Sequence, residues 1–137
     1  DLKRDDFCKK RLVEPNWIVS FFEKKFGQKD SLLNNVQKVS PFTLNTENIN
    51  NIKNLKNAKL RFYTEPDTLW LMKNRQTDFE SSNAFTLQKI DKVLKNKGWE
   101  NTELIQTKNK GYRFNGTRNP HSWSIVNVDE LISWMLQ

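Results

Sequence analysis

Apolar positions recur along this chain in two rhythms, one helical and one extended, with Asn- and Lys-rich stretches between them. Pro15 suits the first turn of a helix, because it has no N–H to leave unpaired. Behind it Trp17, Ile18, Phe21, Phe22 and Phe26 repeat at three- and four-residue spacing. That spacing predicts a helix with one strongly apolar face, closed by Gly27 and buried against something large. Residues 28–57 are polar, with Pro41 and a weak repeat at Ile49, Ile52 and Leu55, and are expected to form a loop and a short helix. Lys59–Thr64 is rich in aromatic residues and reads as a strand, halted by Glu65-Pro66-Asp67.

The helical rhythm returns from about Asp78 to Asn96, with Phe79, Leu87, Ile90, Val93 and Leu94 on one face and Lys97-Gly98 at the end. Glu103–Thr107 predicts a second strand. A long loop, 108–126, contains Gly111, Gly116, Pro120 and the single histidine. The last helix is expected over 128–136, with Asn127 as its cap, Glu130 at capping-box spacing and Trp134 in the core. Strand, helix, strand, helix is the order of a parallel α/β unit, and a crossover of about forty residues favours parallel pairing over a hairpin. The fold class expected is therefore α/β, a partial parallel sheet with flanking helices. Two parallel strands alone leave both edges unpaired, so further strands are expected from a missing N-terminal part of the same fold or from a partner chain. The organisation read from this order is a charged leader over 1–14, a helical cap or flanking segment over 15–57, and a βαβα unit over 58–137.

Composition changes this picture little. The 137 residues include five Trp and nine Phe, enough apolar bulk for one core. No stretch is long and apolar enough to span a membrane. The chain starts at Asp1 and shows no signal peptide, so sequence upstream of Asp1 is expected. The formal charge of +7 admits nucleic acid as a partner, although the lysines scatter along the chain and form no block. Cys8 is the only cysteine, which excludes an intrachain disulfide and a cysteine-based zinc site. One histidine and scattered carboxylates make no ligand cluster, so neither metal nor organic cofactor is expected.

Ligand and catalytic groups in parallel α/β sheets gather beyond the C-terminal ends of the strands. Asp67 follows the first strand and His121 lies in the loop after the second, so the order brings both to one sheet edge. An aspartate that accepts a hydrogen bond from one imidazole nitrogen leaves the other free to take a proton from a nucleophile. Glu-Pro-Asp is also ordinary turn chemistry, and a histidine after a proline is often a surface residue.

The run Arg61-Phe62-Tyr63-Thr64-Glu65-Pro66-Asp67-Thr68-Leu69-Trp70 resembles the α/β-hydrolase segment that holds the penultimate strand and the catalytic acid. Asn119-Pro120-His121-Ser122-Trp123 resembles that family's histidine loop, just ahead of the last helix. The order acid, helix, strand, histidine loop, final helix matches as well, over about residues 41–137. This resemblance implies the C-terminal half of a serine hydrolase, with Asp67 and His121 as triad members and an ester or amide of a small molecule as substrate. It implies that Trp70, Tyr112, Phe114 and Trp123 line the substrate pocket. The family's Gly-x-Ser-x-Gly turn is missing, and the nucleophile is expected upstream.

Two other readings stand beside this one. Lys110-Gly111-Tyr112-Arg113-Phe114, after a basic helix and a strand, resembles the closing hairpin of response-regulator winged-helix domains, with Lys89, Lys92 and Lys95 facing DNA. The same residues partly mimic an RNA-recognition strand. A non-catalytic hydrolase-like module that binds a partner strand is the third.

Overall fold

The computed structural model describes residues 14–44 and 46–137. The charged leader up to Val13, and Cys8 with it, lies outside the described residues. Helices α1 (Glu14–Phe26) and α2 (Lys29–Val39) pack against each other. A 3₁₀ segment (Asn50–Leu55) leads into β1 (Leu60–Thr64) and α3 (Thr68–Arg75). Helix α4 (Asn83–Asn96) crosses to β2 (Thr102–Gln106), and a 3₁₀ turn (Trp123–Ile125) precedes α5 (Val128–Met135). The fold is mixed α/β, with a two-stranded parallel sheet and flanking helices.

The register pairs Leu60 with Thr102 and Thr64 with Gln106. Because side chains alternate along a strand, Leu60 and Phe62 face one side and Arg61 and Tyr63 the other. On the first side lies the core. Ile90, Val93 and Leu94 of α4 cluster with Ile49 and Trp99, and Phe42, Ile52, Leu60, Phe62 and Leu87 pack around them. Leu94 is fully buried. The end of α4 is a Schellman cap: Trp99 N–H donates to Leu94 O (3.1 Å) and Gly98 N–H to Lys95 O (3.0 Å). Gly98 takes the left-handed φ of 74° that this cap demands, and the chain reversal drops Trp99 into the core beside Leu94.

The other side of the sheet is held by charge and one indole. The Arg61 guanidinium donates to Glu103 (Nε 2.8 Å, Nη2 2.5 Å) and reaches Glu130 of α5 at 3.4 Å. It also stacks 4.5 Å from the Trp134 ring, whose N–H donates to Glu103 Oε1 (3.1 Å). Trp134 is therefore not a core residue as its apolar neighbours suggest. It is half-buried and bolts α5 to the sheet through a cation–π and a hydrogen bond. Asn127 Oδ1 caps α5 at Glu130 N–H (3.2 Å), as its spacing predicts.

Several expectations are corrected. The apolar face of α1 is not buried against a large body: Trp17 and Phe21 are exposed, and Phe22 meets Phe21 edge to face and stacks on Phe26 within the same helix, each at 5.8 Å. Within 28–57 a full helix, α2, appears where a loop is expected. The helix expected from Asp78 begins at Asn83, because Ser82 Oγ caps it at Phe85 N–H (3.2 Å). Helix α3 has no counterpart in the sequence reading. The Glu-Pro-Asp stop hides a helix start, in which Asp67 Oδ1 accepts from Trp70 N–H at 2.9 Å.

Leu60 N–H donates to Asn101 O (2.8 Å) and Thr107 N–H to Thr64 O (2.9 Å). In a parallel ladder alternate residues point to opposite edges. The backbone groups of Arg61 and Tyr63 therefore point away from β2, to an edge of β1 that no strand among the described residues pairs with.

Candidate functional site beyond the strand ends

Both strands point their C-terminal ends the same way, so the segments after Thr64 and after Gln106 meet. Glu65 is the centre of that meeting. Its side chain is only 1% exposed, and its carboxylate collects donors from 42 or more residues away. Thr107 Oγ1 donates at 2.8 Å, Lys110 N–H at 2.9 Å and Gly111 N–H at 3.2 Å, all to Oε2. The Arg118 guanidinium pairs with Oε1. Burial works against the charge on Glu65, but the Lys110 N–H, the Thr107 hydroxyl, the Gly111 N–H and Arg118 outweigh it. The carboxyl is held below its ordinary value.

Gly111 is the other fixed point. A β-carbon there would come within 2.6 Å of Asn119 O and 2.7 Å of Pro120 Cα, so only glycine admits this approach. Its carbonyl accepts from Asn119 N–H (2.9 Å) and Arg118 Nη1 (2.6 Å). The loop thereby folds back on itself. Tyr112 bridges Arg118 in antiparallel fashion, with Phe114, Asn115 and Gly116 in the turn between them. Ser122 and Ser124 tie the following turn to Tyr112: Ser122 Oγ donates to Tyr112 O (2.6 Å), and Ser124 Oγ accepts from Tyr112 N–H (2.7 Å).

Asp67 sits at the mouth of this arrangement, its side chain 24% exposed. One oxygen caps α3 and the other accepts from Arg118 Nη2 at 2.6 Å. Arg118 is thus shared between two carboxylates. Burial opposes its charge, but bonds to Asp67 and Glu65 more than compensate and raise its affinity for the proton. Trp70 follows one turn into α3. Its indole N–H donates to Arg118 O (3.2 Å), and its ring meets the His121 ring edge to face, centroids 6.4 Å apart. His121 is exposed, its backbone N–H donating to Asn119 Oδ1 (3.2 Å).

No family model, curated protein or solved structure matches this chain. The geometry stands by itself.

The two predicted catalytic residues share this end of the sheet, linked through Trp70, which contacts both. Of the predicted pocket residues, Trp70 is half-buried within the site. Tyr112 is 43% exposed and lies under the Arg118 guanidinium, 5.4 Å from ring centroid to Cζ. Phe114 and Trp123 extend fully or nearly fully into solvent. On α4, Lys95 pairs with Asp91 at 2.9 Å and Lys89 approaches Glu47 at 3.9 Å, while the apolar face of the helix covers the sheet. Among the described residues no group of three or more His, Cys, Asp or Glu side chains suits a metal ion. No described helix is long and apolar enough to cross a membrane.

None of Glu65, Thr107, Gly111 and Arg118 is a site candidate in the sequence reading. The available signal is two carboxylates flanking Pro66 at a strand end, which draw a cation only if one of them is buried, as Glu65 is. Which arginine answers them depends on the loop conformation, and the chain offers both Arg113 and Arg118.

Proposed function

We propose that this chain supplies the acid and histidine of an α/β-hydrolase-type serine hydrolase acting on an ester or amide of a small molecule. The observation that carries the reading is that Asp67 and His121, brought to one end of a parallel sheet by separate strands, both contact Trp70. An ionised carboxylate has about four lone-pair sites. Trp70 N–H and Arg118 use one on each oxygen, so Asp67 retains acceptors with which to orient an imidazole. In this role Asp67 fixes the tautomer of His121 and stabilises its charged form. His121 takes the proton from a serine hydroxyl as that oxygen attacks the substrate carbonyl. It then returns the proton to the departing alcohol, and repeats the exchange with water to release the acid.

The reading requires a nucleophilic serine on a Gly-x-Ser-x-Gly turn, which this sequence lacks. Its four glycines form no Gly-x-Ser-x-Gly turn, so the serine would come from upstream sequence of the same gene product or from a partner chain. Such a segment would also pair with an open strand edge and complete the sheet.

A fluorophosphonate probe applied to the full-length gene product tests the proposal. Labelling of one serine that disappears in His121→Ala is expected. An intact wild-type protein that does not react, or labelling indifferent to His121, refutes it.

A further inference from the structure

We infer that Arg118, anchored by Glu65, is a positioning residue that sets the acid and the histidine of this site relative to each other; the inference rests on the hydrolase reading above. Glu65 does not depend on Arg118 for its own satisfaction, because Thr107, Lys110 and Gly111 already donate to it. The bond that only Arg118 supplies is the one to Asp67 Oδ2. With Trp70 N–H on Oδ1, this fixes both carboxylate oxygens and confines the directions from which an imidazole N–H can approach.

The same residue governs the histidine. Arg118 is bound at both ends: its guanidinium holds Gly111 O and its own carbonyl accepts from the Trp70 indole. Only Asn119 and Pro120 separate it from His121. Asn119 N–H is bonded to Gly111 O, Pro120 is buried, and His121 N–H is bonded to Asn119 Oδ1. A displacement of Arg118 is therefore passed to His121 through two intervening residues held by Gly111 O and by burial of Pro120, and to Asp67 through the ion pair. Lysine cannot reproduce this. It carries the charge but not the planar fork that meets two carboxylates and a carbonyl at once.

The test uses the full-length gene product and the fluorophosphonate probe, with the limiting labelling rate and the half-saturating probe concentration measured separately. Arg118→Lys should lower the limiting rate by about 10- to 100-fold, the scale of a roughly 1 Å misplacement, with little change in half-saturation. Arg118→Ala should fall further and recover in part when millimolar guanidinium chloride is added. Arg61→Met, which removes an equally connected arginine on the far side of the sheet, should label at the wild-type rate per folded molecule. The inference is overturned if Arg118→Lys labels at the wild-type rate. It is overturned equally if Arg61→Met and Arg118→Lys lose rate in parallel, which marks general loosening. Guanidinium rescue of Arg118→Ala without a matching rise in its melting temperature supports positioning, and rescue that only follows the melting temperature counts against it. These failures presuppose a wild-type protein that labels through His121. Absence of that labelling removes the hydrolase reading itself.

Discussion

Replacing Glu65 by glutamine keeps the shape of the side chain and exchanges one oxygen of the carboxylate for an NH₂ group. In the native site Thr107 Oγ1, Lys110 N–H, Gly111 N–H and the Arg118 guanidinium all donate to this carboxylate, which is 1% exposed. The amide offers one acceptor oxygen, and its own NH₂ must face donors. With the amide oxygen in the place of Oε2, Thr107, Lys110 and Gly111 keep their acceptor, but the NH₂ faces the Arg118 guanidinium, which keeps only Asp67 as a charged partner. A hydrogen bond to a charged group is worth about 1.5–3 kcal/mol, and breaking a buried pair from one side costs about 3–5 kcal/mol. Because Arg118 retains Asp67 and some contact with water, the expected loss is about 3–4 kcal/mol at neutral pH. Urea unfolding of both proteins, with unchanged m-values, measures it. The pH dependence is a second check. The folded carboxyl titrates below its ordinary value, so its stabilisation is complete above the unfolded value of about 4.5 and is lost as pH falls through the folded one. Glutamine does not titrate, so the gap between the two proteins should narrow in acid. A gap below about 1 kcal/mol at neutral pH, or one equally wide at about pH 3, would refute this account of the site.

Leu94→Ala empties the centre of the core and should destabilise by about 3–5 kcal/mol in the same assay, since Leu94 is fully buried. Gly111→Ala drives a methyl into the backbone of Asn119 and Pro120 and should cost about 1–3 kcal/mol. Gln76 ends α3 in the left-handed region at φ 49°, so Gln76→Gly should raise stability by about 0.5–1 kcal/mol. Arg61→Met removes two ties of α5 to the sheet, the approach to Glu130 and the stacking on Trp134, and amide exchange in Val128–Met135 should accelerate by about tenfold or more while β1 and β2 keep their protection.

The extent to which the sequence foretells this structure follows from the range of the forces involved. β1, β2 and α5 lie within a residue or so of expectation, because alternation and capping are written in neighbouring positions. The Asn127 cap and the Gly98 reversal are local chemistry and are legible for the same reason. Helix α2 is missed because Asn34, Asn35 and Ser31 mask an apolar repeat at Leu32, Val36 and Val39, of which only Leu32 is buried. Helix α3 is missed because Asp67 has two local readings, turn and helix cap, and the backbone beyond it decides between them. Trp134 is misjudged from its apolar neighbours, since its place is set by Arg61 and Glu103 far away in the chain. Of the site, the meeting of Asp67 and His121 segments is readable from strand order alone. The Glu65–Arg118 clamp is not, since it depends on a fold-back at Gly111 that no periodicity reports.

The clamp also has a consequence in time. Every donor to Glu65 lies 42 to 46 residues away or, for Arg118, farther still, so none can bind until that stretch of chain is closed into a loop. Closing such a loop is an entropic loss that the packing of α4 against β1 and β2 must offset first. The carboxylate is therefore expected to be captured on the native side of the folding barrier. Its removal should leave the refolding rate almost unchanged and appear nearly whole as faster unfolding. Glu65 thus acts as a latch: it governs how long the strand ends stay together once they have met.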